Sequence, residues 1–284
     1  MSNLLDPLHR PKIVGIVNIT ADSFSDGGLY LNPDNALAHA RQLSASGADI
    51  IELGAASSHP DASKVDASEE IARLAPVLDA LAAEGVELSV DTTKPEVQIF
   101  AIEKGVGMLN DIRGFPNPEL RHDLASANCR MIVMHSVDQD HFAQRRRTNP
   151  SAVFHSACVF FEARLKQLDL AGVSRERIIL DPGMGYFLGS NPETSLAMLG
   201  RLAELRSLFE CELFVSVSRK SFLRNLKTMG DCDIGSRSLA AELWAASEGA
   251  AYIRTHDTRS LHQALVTQAA IADARSLFSP RPTR

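Results

Sequence analysis

The 284-residue chain predicts a single α/β domain, a (β/α)8 or TIM barrel with its active site at the C-terminal ends of the strands. Eight short apolar runs alternate with longer stretches of helical spacing, at about 35 residues per unit, and glycine follows several of the predicted helices. Strands that are apolar on both faces and alternate with helices are typical of a parallel sheet. Eight such units in about 250 to 280 residues favour the barrel over an open doubly wound sheet.

The predicted strands are the runs of β-branched and other apolar residues. In chain order they are Ile13–Val17, Ile50–Leu53, Leu88–Val90, Met108–Leu109, Met131–Met134, Ile178–Leu180, Leu213–Val217 and Tyr252–Ile253. Stretches of helical spacing separate them. Gly47, Gly105 and Gly249 each follow a predicted helix, as C-cap glycines do.

Composition excludes several classes of protein. Lys and Arg total 29 against 35 Asp and Glu, which gives a net charge of −6. A negative protein surface as a whole would repel nucleic acid or an anionic membrane, so we expect neither as a partner. We expect no secretory signal, because Asp6 comes early and the N-terminal segment has no apolar h-region. We expect no membrane span, because no apolar run approaches about 18 residues. The four cysteines lack CxxC spacing, which favours reduced thiols and a cytoplasmic location. No linker is visible, so we expect the barrel to span 12–275, with terminal extensions at 1–11 and 276–284.

Every predicted strand has a polar group at its end. In chain order the strand ends read Asn18, Glu52-Leu-Gly54, Asp91, Asn110-Asp111, His135, Asp181, Ser218-Arg219-Lys220 and Arg254-Thr255-His256. Two of the joins that follow strands, Ile19–Asn32 and Ser136–Pro150, are long, and long joins in compact domains usually carry function. One Asp or Asn in such a place could cap the next helix. Eight polar ends on the face that bears the long loops favour a site at the barrel mouth.

The distribution of charge in this ring predicts two ends of a ligand. Cationic or near-cationic side chains gather after the last two predicted strands, where barrels commonly bind phosphate: Arg219, Lys220, Arg254 and His256. Asp91, Asn110 and Asp181 can accept hydrogen bonds from a flat edge of N–H donors. The residues alone therefore suggest a ligand with a phosphate end and a 2-amino-pyrimidinone-like end.

Motifs at these strand ends resemble dihydropteroate synthase, an enzyme family of the folate pathway, over about residues 12–274. In order they are Gly15–Gly28, Ser89–Glu96, Asn110–Arg113, Met134-His135, Leu180–Gly185, Ser218–Ser221 and Arg254–His256. The resemblance implies a transferase that condenses 7,8-dihydropterin-6-ylmethyl pyrophosphate with p-aminobenzoate, which gives 7,8-dihydropteroate and pyrophosphate. It also implies Mg2+ as the cofactor and a homodimer.

The resemblance assigns roles to individual positions. The family's pterin-binding positions match Asp91, Asn110, Asp181 and Lys220. Its positions for pyrophosphate and Mg2+ match Asn18, Arg254 and His256, with Asn18 as the expected metal ligand. Its aminobenzoate positions fall near Pro60, Phe187, Lys220 and Ser221, and the expected substrate contacts also include Ser58, Met134 and Gly185. The expected catalytic residues are Asp91, Lys220 and Asn18.

Two departures from the family pattern bear on inhibitors. The loop after the second strand reads Gly54-Ala-Ala-Ser-Ser-His-Pro-Asp61, so that Ala56 and His59 replace a usual Glu and an anion-binding Arg. The turn after Gly185 is longer than usual and contains Phe187. Both features resemble the sulfonamide-insensitive branch of the family. An added aromatic side chain there can reject a sulfonamide, which is bulkier than aminobenzoate at its acid end.

Other interpretations remain open at this point. A methyltetrahydrofolate-type methyltransferase would keep the ring of Asp and Asn, an aldolase would use Lys220 as a Schiff base, and a non-catalytic barrel would only bind folate-like ligands. His135 fits a ligand contact and a hydrogen-bonded core histidine equally well. We expect Arg145–Arg147 to be a solvated run rather than a funnel for substrate.

Overall fold

The computed structural model describes residues 10–20, 31–57, 64–138, 145–226 and 233–277. Eight parallel strands pair in chain order and close into a barrel, because β1 pairs with both β2 and β8. They are β1 Lys12–Asn18, β2 Ile50–Gly54, β3 Leu88–Asp91, β4 Met108–Asp111, β5 Arg130–Met134, β6 Ile178–Asp181, β7 Glu212–Ser216 and β8 Tyr252–Thr255. This confirms the predicted fold class. Most strands run one or two residues further than the apolar runs, into the polar ends.

Helices connect successive strands and cover the barrel. They are α1 Pro33–Ala45, α2 Ala67–Ala83, α3 Pro95–Glu103, α4 Arg121–Ser126, α5 Pro150–Leu170, α6 Pro192–Leu199, α7 Leu202–Phe209, α8 Ser221–Arg224, α9 Ile234–Ser247 and α10 Thr258–Leu277. Several begin at proline, whose missing N–H has no partner at a helix start anyway. Gly47, Gly105 and Gly249 follow α1, α3 and α9 with φ of +103°, +72° and +88°, which confirms their prediction as helix-ending glycines.

The period of two along each strand explains how the site is assembled. A cluster with one residue from each of seven strands fills the barrel interior: Val14, Ile50, Met108, Ile132, Ile179, Phe214 and Tyr252. Since alternate strand residues share a face, the residue two positions later also points inward, one layer nearer the mouth. That layer contains Glu52, Asn110, Met134, Asp181, Ser216 and Arg254. The apolar layer below it therefore supports a largely polar layer at the mouth.

Two further sequence expectations concern the rest of the chain. None of the helices in the described ranges combines the length and apolar content that crossing a bilayer requires. Cys129, Cys158 and Cys211 are free thiols, and Cys129 and Cys211 are buried as packing residues. Cys232 lies outside the described residues.

Candidate active site

The register of the first four strands places four residues in one row. Asn18 is paired with Gly54, Gly54 with Asp91, and Asp91 with Asn110. Gly54 lies between Asn18 and Asp91, since a Cβ there would be in van der Waals contact with both, 3.8 Å from Asn18 Oδ1 and 3.9 Å from Asp91 Cβ. The polar ends of these strands therefore converge at the mouth, as the sequence predicted.

Asn110 presents an acceptor to this mouth. Its side chain is buried, and Nδ2 donates to Glu52 Oε2 at 3.2 Å. A carboxylate can only accept, so this contact determines which way the amide is oriented. Asn110 Oδ1 is buried and has no hydrogen-bond partner within the described ranges. A buried orphan carbonyl is costly, and a ligand with an N–H donor would remove that cost.

Glu52, to which the sequence analysis assigned no role, lies between the acceptors and the cations. It is fully buried, accepts from Ser89 Oγ at 3.1 Å and forms an ion pair with Arg254 Nε. A charged residue two positions after the inward-facing Ile50 was the available signal in the sequence. Glu52 thus contacts both Asn110 and Arg254, which are expected to hold opposite ends of the ligand.

Arg254 is held by two carboxylates. Besides Glu52, Asp91 Oδ2 lies 3.3 Å from its terminal nitrogen, and 16% of the arginine side chain is exposed. Burial acts against the charged guanidinium, but the carboxylates of Glu52, Asp91 and Asp181 outweigh it and raise the pKa of Arg254. The arginine therefore stays charged at a defined position in the mouth.

Asp91 has a pKa near neutrality. Burial is the main cause, the negative charge of Glu52 adds to it, and the Arg254 guanidinium opposes it, so that the pKa rises to about 7. About a quarter of the side chain, 23%, remains exposed at the mouth. Near pH 7 Asp91 can therefore be either protonated or negatively charged. A carboxyl group with such a shifted pKa in a cleft is typical of active sites.

Asp181 and Lys220 also titrate closer to neutrality than usual. Burial raises the pKa of Asp181 to about 6, against the hydrogen bond that Gly183 N donates to Oδ1 at 2.8 Å and against the charge of Lys220. Burial, with the charge of Arg254, lowers the pKa of Lys220 to about 8, although Asp181 and Asp91 act in the other direction. Buried opposite charges in one site are typical of active sites.

The backbone after β6 requires glycine at two positions. Gly183 has φ +74°, and a Cβ there would overlap the carbonyl oxygen of His135. Gly185 has φ +67°, and a Cβ would lie 3.5 Å from Lys220 Cδ and from Ser221 Oγ. These glycines let the loop approach β5 on one side and Lys220 with Ser221 on the other.

One wall of the mouth is apolar. Ile112, Met134, Phe187 and Tyr186 form a cluster separate from the main core. The ammonium of Lys220 lies 5.1 Å from the centroid of the Phe187 ring, a cation–π contact. An apolar wall beside charged groups suits a flat ring with polar edges. Met134, Phe187 and Lys220 are thus brought together as the sequence predicted.

His256 is part of the site but is not a cation in the free protein. Burial, with the charges of Arg219 and Arg254, lowers its pKa to about 3. The expectation that His256 adds positive charge beside Arg254 is therefore wrong for the ligand-free protein. The cause is its burial near several cations, which a lone histidine in the sequence does not reveal.

Two polar strand-end residues, His135 and Asp111, make their hydrogen bonds within the fold. His135 is fully buried, with Nδ1 3.1 Å from Pro182 O and Nε2 3.2 Å from Ser156 Oγ, and burial lowers its pKa to about 4. Both ring nitrogens are thus occupied, which decides the open question in favour of a core histidine. Asp111 points the other way from Asn110 and accepts from the backbone of Arg113 at 2.8 Å, which closes the turn after β4.

The remaining predicted residues lie at the edges of the site. Ser58, Pro60 and His59 are outside the described residues, while Ala56 is half-buried after β2. Ser221 begins α8 directly after Lys220. The run 145–147 is exposed, as predicted, and the guanidinium of Arg145 lies over the ring of Tyr186 at 5.9 Å.

The residues at the mouth fit a Mg2+ ion that is coordinated mainly by water and by the phosphate oxygens of a substrate. Within the described ranges there is no group of three His, Cys, Asp or Glu side chains that could hold a metal ion. Mg2+ at phosphate sites needs only one or two protein oxygens, because waters and phosphate oxygens complete its shell. Asn18 Oδ1, facing Gly54 beside Asp91, is a suitable neutral oxygen.

Comparison with known proteins agrees with this geometry. The family of pterin binding enzymes matches residues 14–256. The chain is 54% identical to dihydropteroate synthase type-3 of Escherichia coli over 257 residues, which cover 89% of this chain and 97% of that protein. It superposes on Yersinia pestis dihydropteroate synthase with a sulfonamide drug complex at a TM-score of 0.83, with 33% identity and 95% of both chains covered. Xanthomonas albilineans dihydropteroate synthase with 4-aminobenzoic acid gives 0.80 and 32%, covering 93% of this chain and 94% of that one. The chain belongs to the dihydropteroate synthase family.

Proposed function

We propose that the chain joins 7,8-dihydropterin-6-ylmethyl pyrophosphate to p-aminobenzoate and releases pyrophosphate and 7,8-dihydropteroate. The bond between the pterin methylene carbon and the pyrophosphate oxygen breaks, and the aniline nitrogen forms a new bond to that carbon and loses a proton. The observation that carries the proposal is the buried Oδ1 of Asn110, which has no hydrogen-bond partner among the described residues and lies in one row with Asp91 and Asn18. A pterin edge supplies the N–H donors that this acceptor lacks.

The acceptor residues bind and orient the pterin. Asn110 Oδ1 and the carboxyl of Asp181 accept from the amino-pyrimidinone edge, and the buried ammonium of Lys220 donates to its acceptor atoms. Asp91 places negative charge beside the methylene group, where positive charge develops as pyrophosphate leaves. The wall with Met134 and Phe187 holds the flat ring and excludes water from that carbon.

Arg254 and His256 bind the departing pyrophosphate. Arg254 supplies permanent charge and the N–H groups that Glu52 and Asp91 leave free, and these two carboxylates fix its position. We assign Mg2+ to the pyrophosphate with Asn18 as its protein ligand; when bound, the ion stabilises negative charge on the leaving group. Ser221, Phe187 and Gly185, together with Ser58 and Pro60, are proposed to contact the aminobenzoate.

One assay tests this function. The protein is incubated with the pterin pyrophosphate, Mg2+ and p-aminobenzoate, and dihydropteroate and pyrophosphate are measured together. We expect both products in equal amounts and none without aminobenzoate. Pyrophosphate without dihydropteroate would indicate hydrolysis and contradict the proposal. Borohydride should trap no carbonyl compound on Lys220, since a trapped adduct would favour the Schiff-base alternative.

We also propose that the enzyme discriminates against sulfonamides. Phe187 occupies the longer turn after β6 and contacts Lys220 from the side where the aminobenzoate acid end is expected. An aromatic ring there narrows the space for a bulkier acid end while leaving room for a carboxylate. We propose further that residues 12–275 are the folding unit, that the enzyme is a homodimer, and that it is cytoplasmic, where its free thiols stay reduced.

A further inference from the structure

A buried carboxyl group that the proposed reaction does not use lies behind His256. Glu242, in the middle of α9, is 2% exposed. The hydroxyl groups of Ser218 and Thr255 form hydrogen bonds with its carboxyl group, but burial outweighs them and raises the pKa of Glu242 to about 7. Its Oε1 is buried and has no hydrogen-bond partner within the described part of the chain. A buried polar atom without a partner calls for an explanation.

Ser218 connects Glu242 to His256. Ser218 Oγ lies 3.1 Å from His256 Nδ1, and the backbone N–H of His256 donates to the same oxygen at 3.2 Å. Thr255 Oγ1 lies 3.4 Å from Ser218 Oγ and accepts from Asp257 N at 3.1 Å. A serine hydroxyl has a single proton to donate. Whether Glu242 or His256 receives this proton therefore determines what the other contact must be.

Two arrangements satisfy this chain. As a neutral acid, Glu242 donates to the hydroxyl pair, so Ser218 can donate to His256 Nδ1 and the imidazole proton resides on Nε2. As a carboxylate, Glu242 only accepts, and it draws the protons of both hydroxyl groups, Thr255 and Ser218. His256 Nδ1 then carries the ring proton that donates to Ser218 Oγ, and Nε2 is left as an acceptor. Only the first arrangement lets a neutral His256 donate to an anion.

We propose that Glu242 is a positioning residue which, as the neutral acid, directs the Ser218 proton to His256 and holds His256 in the Nε2–H tautomer that donates to pyrophosphate. The geometry supports the neutral form, because an ionised carboxylate with one unpaired, buried oxygen would be costly. The inference rests on the proposed function, in which His256 contacts the pyrophosphate.

Because of the surrounding charges, the contact of His256 with an anion depends on its tautomer and not on its charge. Asp257, at the start of α10, raises the pKa of Glu242, whereas Arg219 after β7 lowers it. After burial, the groups that lower the pKa of His256 are Arg219, Arg254, Lys220 and His39. Since burial and the charges of Arg219, Arg254 and Lys220 keep the imidazole neutral, its anion contact depends on which ring nitrogen carries the proton.

Nitrogen-15 NMR of the ligand-free protein with labelled histidine tests this directly, because the ring nitrogen shifts report the tautomer. The His256→Gln variant identifies the His256 signals. In the wild type we expect Nε2–H below about pH 7 and Nδ1–H above it, following the ionisation of Glu242. In Glu242→Gln we expect Nε2–H throughout, because an amide N–H donates as the neutral acid does and does not ionise. Ser218→Ala should likewise remove the response to pH.

The matched control is Glu248→Gln, the same chemical change at the C-terminal end of α9, which should behave like the wild type. A wild-type tautomer that stays constant with pH, or a change that persists in Glu242→Gln, would overturn the proposal. Because this measurement involves no turnover, an absence of dihydropteroate formation would reject the proposed function while the NMR result still decides the role of Glu242.

Isothermal titration calorimetry with pyrophosphate and Mg2+ tests whether the tautomer of His256 changes the affinity for pyrophosphate. Near pH 6 the wild type and Glu242→Gln should bind pyrophosphate within about twofold of each other, since both hold the donor tautomer. Near pH 8.5 the wild type should bind about tenfold more weakly than Glu242→Gln, because a charged hydrogen bond has been lost. Comparing the two proteins at each pH cancels the titration of pyrophosphate and of Asp91, Asp181 and Lys220. An affinity ratio that does not change with pH would contradict the proposal.

Discussion

Asn110 Nδ2 donates to Glu52 Oε2 at 3.2 Å, and both side chains are buried at the barrel mouth. This one contact orients the amide so that Asn110 Oδ1, rather than Nδ2, is left to accept a hydrogen bond. The same carboxylate pairs with Arg254 Nε, so one residue on β2 positions a group expected to bind the pterin and a group expected to bind the pyrophosphate.

Replacing Glu52 should weaken the binding of both the pterin end and the pyrophosphate end of the substrate. In Glu52→Gln the size is kept, but Arg254 loses its buried counter-charge and the Asn110 amide is no longer held in one orientation. We expect kcat/KM for the pterin pyrophosphate to fall about 100-fold, in line with a loss of about 3 kcal/mol, while KM for aminobenzoate changes less than about threefold. Glu87→Gln, at an exposed partner of Lys12, is the control. If steady-state kinetics showed that kcat/KM decreases less than about tenfold, the assigned role would be contradicted.

Asp91→Asn should abolish turnover and leave the fold intact. The amide cannot supply negative charge beside the reacting carbon, so we expect kcat to fall at least about 1,000-fold. Burial raises the pKa of Asp91 to about 7, so a neutral amide there should not destabilise the fold, and thermal unfolding should show a similar Tm. Asp79→Asn, at an exposed partner of Lys104, is a matched control. Near-native rates in Asp91→Asn would refute its catalytic role.

Two glycines with nearly the same backbone conformation should differ in their tolerance of alanine. Gly105 has φ +72° with nothing within 4 Å of a Cβ, whereas Gly183 has φ +74° and a Cβ would overlap His135 O. Gly105→Ala should cost about 1 kcal/mol of unfolding free energy for the left-handed conformation alone. Gly183→Ala should cost at least about 3 kcal/mol, since a backbone oxygen cannot rotate away. Urea unfolding measures both values, and equal costs would show that the β6 loop moves to accommodate the methyl group.

Glu242 should make the stability of the ligand-free protein depend on pH. Its pKa in the folded state, about 7, is above the usual value of 4.5. The folded protein therefore binds this proton more tightly, so the contribution is full below about pH 4.5 and is lost as the pH rises through about 7. We expect Glu242→Gln to raise the unfolding free energy at about pH 8.5 by about 2 kcal/mol relative to the wild type, and to give no gain at about pH 5. A difference independent of pH in chemical unfolding would contradict this assignment.

Removing the Phe187 ring should admit sulfonamides. In Phe187→Ala we expect the inhibition constant of sulfamethoxazole to fall at least about tenfold, while KM for aminobenzoate changes less than about threefold. Phe209→Ala, with the same 9% exposure but on α7, controls for lost packing. Steady-state inhibition measures both constants. A wild-type inhibition constant close to the aminobenzoate KM would show that there is no discrimination to explain.

The fold was predictable because its main signals are local. Eight apolar runs alternate with stretches of helical spacing, glycine follows three of the predicted helices, and each signal depends only on neighbouring residues. The polar ends could be recognised as a ring because parallel strands must present their C-terminal ends on one face of a barrel. Asp91, Asn110, Asp181, Lys220 and Arg254 were all found in this way.

The pairings within the ring were not predictable, because they depend on which strands close against each other. Glu52 was an unassigned strand residue until closure placed it between Asn110 and Arg254, about 60 and 200 residues away along the chain. His135 and His256 also follow strands in the same manner. His135 has hydrogen-bond partners at both ring nitrogens, whereas His256 has one at Nδ1 alone within the described ranges, and only the packed neighbours distinguish them.

The sequence by itself thus determined the barrel, the face of the site and the chemical types of its side chains. The tertiary structure decided which groups are charged, because a pKa depends on burial and on charges that arrive from distant strands. It lowered the pKa of His256 to about 3, raised that of Asp91 to about 7, and placed Glu242 behind His256. Burial and Coulomb interactions act through space, and distances through space exist only once the eight strands have closed.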